Sequence, residues 1–166
     1  LPENQNQLKR QKGFDMKKIT LIIAAALSLS FAGCATTTND TVAGVKRSQF
    51  MLLPASSIDK MSSQAYAETL GEAKKKNTLN ADPAMLARVR GISNKLIAQV
   101  GVFRPDAVKW AWEVNVEKND QLNAYCMPGG KIMVLSGLVE KINATDDELA
   151  AVIGHEIAHA LREHGR

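Results

Sequence analysis

The stretch Thr145-Asp146-Asp147-Glu148-Leu149-Ala150-Ala151-Val152-Ile153-Gly154-His155-Glu156-Ile157-Ala158-His159-Ala160-Leu161 decides the reading of this chain. Thr145, followed three residues later by Glu148, forms a capping box, and three acids in the first turn suit the positive end of a helix dipole. The rest is apolar almost all round, which predicts a buried helix. His155, Glu156 and His159 interrupt it. Residues four apart lie on one helix face, about 40° from eclipsed, so the two imidazoles stack and Glu156 sits beside them. Burying these three groups without partners would be costly. Gly154 costs about 1 kcal/mol in a helix relative to Ala, so it is expected to serve close backbone packing next to the histidines.

The spacing H-E-x-x-H is the one by which two histidines grip a single zinc ion while the glutamate holds a metal-bound water. With three His and nine Glu in 166 residues, chance would produce it about once in a few hundred such sequences. The bland alternative, a pair of hydrogen-bonded core histidines, leaves the carboxylate without a task. One zinc ion per chain is therefore expected, held by His155 and His159, with Glu156 catalytic.

Outside this helix the composition is that of one domain with a leader. The net charge of +4 is concentrated at the start. Residues 1–33 carry five Lys/Arg and two acids (+3), which leaves 16 bases against 15 acids (+1). So balanced a remainder gives no support for nucleic-acid binding. Met16-Lys17-Lys18, an apolar run from Ile19 to Phe31, and Ala32-Gly33-Cys34 form a secretory signal peptide too short to span a membrane. Its end resembles a bacterial lipobox, which makes Cys34 the expected site of lipid attachment. Residues 1–15 read as an upstream extension, 16–33 as the lipoprotein signal peptide, 34–48 as a flexible tether, and 49–166 as the folded domain. Cys126 has no partner for an internal disulfide and is expected to be a small core residue rather than a metal ligand.

Within the domain, Gln49–Leu53 is a candidate strand. A first helix runs from Ser57 or Asp59 to about Lys76, with Met61, Ala65, Tyr66, Leu70 and Ala73 on one face. Asp82 and Pro83 cap and open a second helix, whose stripe is Met85, Val89, Ile92, Leu96 and Val100 and whose end is Gly101. From Val108 to Val116 apolar and polar residues alternate, predicting a half-buried strand. Leu122–Met127 and Lys131–Leu135 are further strands about the Pro128-Gly129-Gly130 turn, and a short helix near 138–142 leads into the HExxH helix.

Asn123-Ala124-Tyr125-Cys126-Met127-Pro128-Gly129-Gly130-Lys131-Ile132, Ser136-Gly137-Leu138, Asp146-Asp147-Glu148-Leu149 and Gly154-His155-Glu156-Ile157-Ala158-His159 together resemble the HtpX, CAAX prenyl protease and Oma-type zinc metallopeptidases, including lipoprotein members similar to LoiP and BepA. The likeness is densest from about Trp110 to Arg166. It implies an α+β, zincin-like (gluzincin) fold, of which this is the N-terminal part, with a small three-stranded sheet next to the HExxH helix. It further implies a third zinc ligand, a Glu from a later helix beyond Arg166, which makes the domain C-terminally truncated. The strand around Asn123 and Ala124 is expected to form the cleft edge and align a peptide by strand addition.

No local residue replaces that glutamate. Glu163 lies about 12 Å along a straight helix from His155, too far for one ion with bonds of about 2 Å. His164 is read as a group beside the site or on the surface. The function implied is a zinc metalloendopeptidase acting on unfolded or misassembled envelope proteins. It would sit on the periplasmic side of the bacterial envelope, held by lipid on Cys34, with Ala35 pointing to the outer membrane. The alternative is a non-catalytic periplasmic lipoprotein of protease-like fold that acts in binding or assembly.

Overall fold

The computed structural model describes residues 54–164 and the backbone of two short strands, β1 (Cys34–Ala35) and β2 (Gln49–Phe50). The chain divides into the units Leu1–Cys34 and Ala35–Arg166, and apart from Cys34 the described residues belong to the second. The expected extension, signal peptide and tether fall outside the described residues, save the backbone of Cys34 and Ala35. Among the described residues no helix is long and apolar enough to cross a membrane.

The remaining elements are α1 (Ala55–Lys75), α2 (Pro83–Ile97), the short α3 (Val100–Phe103), a 3-10 turn (Pro105–Lys109), β3 (Glu113–Glu117), β4 (Ala124–Met127), β5 (Lys131–Leu135), α4 (Ser136–Glu140) and α5 (Asp146–Leu161). The strands lie in the order β3-β5-β4, with β3 parallel and β4 antiparallel to β5. A parallel pair needs a long connection between its strands. Here residues 118–130 supply it and contain β4 itself.

Both faces of this sheet are covered. Val114, Val116, Ile132, Val134 and Ala124 face α2 and α5, where they join Val89, Leu149, Ile153 and Ile157 in the main core. Met133 and Leu135 on the opposite face meet Tyr66 of α1, with Leu70, Tyr125 and Met127 around them. The Tyr66 hydroxyl donates to the Ile132 carbonyl at 2.6 Å and accepts from Asn115 at 3.2 Å. Burial pushes the Tyr66 phenol well above its ordinary pKa.

Several expectations shift by a few residues for identifiable reasons. The strand foreseen from Val108 begins only at Glu113, because Pro105 opens a 3-10 turn and Val108 points to solvent. Nor is that strand half-buried: Asn115, a polar residue in the alternation, is 4% exposed because α1 covers its face. Gly101 does not end α2. The helix stops at Ile97, and Gly101 lies inside α3, where a Cβ would stand 2.8 Å from Val108 Cγ1. On α1, Tyr66 and Ala73 are buried as expected, whereas Met61 and Ala65 are exposed.

Candidate metal centre

α5 carries the centre, and its start is built as the sequence specifies. The Thr145 hydroxyl accepts from the Glu148 N–H at 3.3 Å, and the Glu148 carboxylate accepts from the Thr145 N–H at 2.8 Å. Leu149, Ile153, Ile157, Ala160 and Leu161 form its buried stripe. At about 1.5–3 kcal/mol for each large aliphatic side chain, this stripe fixes which way the helix faces. The helix is not buried all round: His155 and His159 are exposed and Glu156 is half-buried. The burial penalty foreseen for the imidazoles therefore does not arise, and geometry has to carry the case for a metal.

That geometry is convergent. The Nε2 atoms of His155 and His159 stand 2.9 Å apart, with their rings nearly perpendicular at 88°. Two nitrogens bound at about 2.0–2.1 Å to one tetrahedral zinc stand about 3.3 Å apart, so opening the pair by about 0.4 Å accommodates the ion. Both side chains thus fit zinc through Nε2. Among the described residues no group of three His, Cys, Asp or Glu side chains converges on one point. Beside the pair, between α2, α3 and α5, opens an apolar cavity of about 420 Å³ whose lining includes Leu96, Phe103 and Ala158. Gly154 borders it, but a Cβ there would come no closer than 3.9 Å to Leu96, an ordinary contact. Close backbone packing is not what this glycine provides.

On the other side of the histidines α5 packs against β4. Glu156 faces this side, near Cys126. Burial, and secondarily the Glu156 charge, pushes the Cys126 thiol up to about 12. Cys126 is thus a protonated, half-buried residue packed against the main core, as its sequence context suggested.

Among the described residues β4 has a strand neighbour on one side only. The Asn123 carbonyl accepts from the Leu135 N–H at 3.0 Å, so it points into the sheet. Main-chain direction alternates along an antiparallel pair, so the N–H and C=O groups of Ala124 and Cys126 point to the open edge. Ala124 therefore turns its main-chain groups away from β5, while Asn123 spends its carbonyl on it. The loop entering β4 is held by Ser136 and Gly137. Gly137 N–H donates to the Asn119 carbonyl at 2.8 Å, and a Cβ on Gly137 would lie 2.6 Å from the Asp120 carbonyl. At the far end, Pro128 precedes Gly129 (φ +77) and Gly130 (φ +83), and a Cβ on Gly130 would strike Trp112 at 2.6 Å.

Sequence reasoning missed the clamp at the end of α5. Glu163 adopts φ +53, and its N–H and that of His164 reach back to the carbonyls of Ala160 and His159. This is a Schellman turn without its usual glycine. Arg104 fastens it, donating to the Leu161 carbonyl at 3.0 Å and pairing with Glu163 at 2.7 Å, both side chains being nearly buried. Its guanidinium also lies 4.9 Å from the Trp110 ring centroid. Burial opposes the Arg104 charge, but Asp106 and Glu163 outweigh it and hold its pKa above the ordinary value. The turn folds His164 back until its Nδ1 is 2.7 Å from Nδ1 of His159.

Several known proteins resemble this chain. The chain is 46% identical over 54 residues to the mitochondrial metalloendopeptidase OMA1 of Arabidopsis thaliana, covering 32% of this chain and 11% of that protein. The Schizosaccharomyces pombe OMA1 is 30% identical over 105 residues, 63% of this chain and 29% of that protein. The beta-barrel assembly-enhancing protease of Yersinia pestis is 29% identical over 83 residues, 50% of this chain and 16% of that protein. The chain thus spans less than a third of the length of each of these relatives. The profile of Peptidase family M48 matches residues 83–166, from the start of α2 through the paired histidines, and it is to Peptidase family M48 that this α+β chain belongs.

Proposed function

We propose that the chain is the histidine-bearing part of a zinc-dependent metalloendopeptidase that hydrolyses peptide bonds in envelope proteins. His155 and His159 hold one ion through Nε2. The resemblance supplies a third ligand, a glutamate outside these residues. Zinc held there would supply Lewis acidity for the attack of water on a peptide carbonyl. Glu156, on the β4 side of the two histidines, is placed to accept a proton from the attacking water and to return it to the leaving amine. The open edge of β4 aligns an extended substrate, Ala124 and Cys126 offering main-chain groups and Asn123 flanking them. Unfolded or misassembled proteins are the substrates, since only an extended segment can add to a strand edge. Lipid on Cys34 tethers the protein to the membrane, on the periplasmic side and at the outer membrane. The name of the Yersinia pestis relative, a beta-barrel assembly-enhancing protease, supports an envelope setting.

The observation that carries this reading is the 2.9 Å approach of two Nε2 atoms with a carboxylate on the neighbouring face. The test is Glu156→Gln. Zinc content should stay at one ion per chain, while cleavage of casein falls by about 10²–10⁴-fold, the usual contribution of a positioned acid–base group. A chelator should abolish wild-type cleavage and added zinc restore it. Undiminished turnover in the variant would end the proposal, and zinc-loaded wild type without cleavage would leave a binding or assembly lipoprotein in its place.

A further inference from the structure

We propose that His164 is a positioning residue for the metal ligand His159. The inference rests on zinc binding by His155 and His159 and goes on to name what orients the second ring. The Nε2 atoms of the pair face each other, which makes Nε2 the ligating atom and leaves the His159 proton on Nδ1. A ligand imidazole needs an acceptor for that proton, because the acceptor fixes both tautomer and ring angle. His164 Nδ1 lies 2.7 Å away, at hydrogen-bond distance, and accepts it, with its own proton then on Nε2. The rings meet edge to face at 65°.

The placement is not incidental to a fraying end. Glu163 takes a left-handed conformation that residues with a Cβ rarely adopt, and this brings His164 over the last helical turn. Arg104 keeps it there, bonding the Leu161 carbonyl and the Glu163 carboxylate together. A group 60 residues upstream thus braces the turn that aims one histidine at another. Among the described residues no other hydrogen-bond acceptor is recorded at His159 Nδ1.

Asparagine and leucine at position 164 separate this role from simple packing. The Asn side-chain oxygen occupies the place of Nδ1 and can accept the same bond, whereas Leu keeps the bulk and accepts nothing. Zinc affinity is measured by competition with a chromophoric chelator, and the absorption spectrum of the cobalt-substituted protein reports ligand geometry. His164→Leu should weaken zinc by about 10–100-fold and shift the cobalt bands. His164→Asn should stay within about threefold of wild type, since it restores the acceptor. Thermal unfolding of the metal-free protein should be the same in all three, because His164 is exposed. Equal affinity in wild type and His164→Leu would overturn the proposal, as would equal weakening in both variants. His155→Ala serves as the reference for loss of the site. Zinc binding unaffected by His155→Ala would overturn the zinc reading, and with it this inference, which a null result at position 164 alone would not do.

Discussion

The residues of α5 show how much one position can mislead when read alone. Gly154 within an apolar helix suggested tight packing, yet a methyl group there would meet only Leu96, at 3.9 Å. Gly154→Ala should therefore raise stability by about 0.4–1 kcal/mol, through a less flexible unfolded chain and better helix propensity, leaving zinc affinity unchanged. Urea unfolding would register it, and a destabilised variant would show that the helix needs glycine there. His155 and His159 carried a different error. Their apolar neighbours predicted burial, but the buried stripe runs down the other side of the helix. Spacing brought the two imidazoles side by side, as their Nε2 atoms lie 2.9 Å apart, and composition gave the wrong solvent exposure. Glu163 carried no signal at all. Gly165 is the residue that sequence would favour for a left-handed helix end, and the actual choice depends on Arg104, which is distant in the chain.

Elements bounded by local chemistry were legible. Asp82 accepts from the N–H groups of Ala84 and Met85 ahead of α2, β5 spans Lys131–Leu135, and α5 begins at its capping box. The capping box also has a pH signature. Hydrogen bonds from the Thr145 N–H and hydroxyl hold the Glu148 carboxyl below the usual carboxylate range. At Asp106 burial works the other way, but the Arg104 guanidinium outweighs it and lowers the pKa too. A carboxyl depressed in the folded state contributes stability that is complete above its unfolded pKa, about 4, and is lost as pH falls through the lower folded value. The melting temperature should accordingly fall with acidification below about pH 4, and more gently in Glu148→Gln. Identical acid limbs in the two proteins would count against an ionised cap. Where elements were misjudged, the missing information was tertiary. The alternation from Val108 to Val116 has the period of a strand, but only residues paired with β5 became one.

At the scale of the molecule, what could not be read from sequence was the layering. α1 closes the second face of the sheet, and a buried polar chain runs from Tyr66 to Asn115 and on to Asn80. Tyr66→Phe removes the hydroxyl but leaves the Ile132 carbonyl and the Asn115 amide short of a partner. It should cost about 1–3 kcal/mol in chemical denaturation, with zinc affinity unaltered because α5 packs on the opposite face. A cost below about 0.5 kcal/mol would mean that water replaces the hydroxyl and that α1 is held by apolar contacts alone.

An unsatisfied sheet margin ordinarily invites other polypeptides to stack on it. Among the described residues the margin without a strand neighbour is β4, in which Ala124 and Cys126 turn their amides outward, and the next outward position, Pro128, has no N–H to give. Cross-β polymers recruit segments of about six or seven residues, longer than this margin offers. Brevity is thus its safeguard: a margin this short gives self-assembly into fibrils too little to build on.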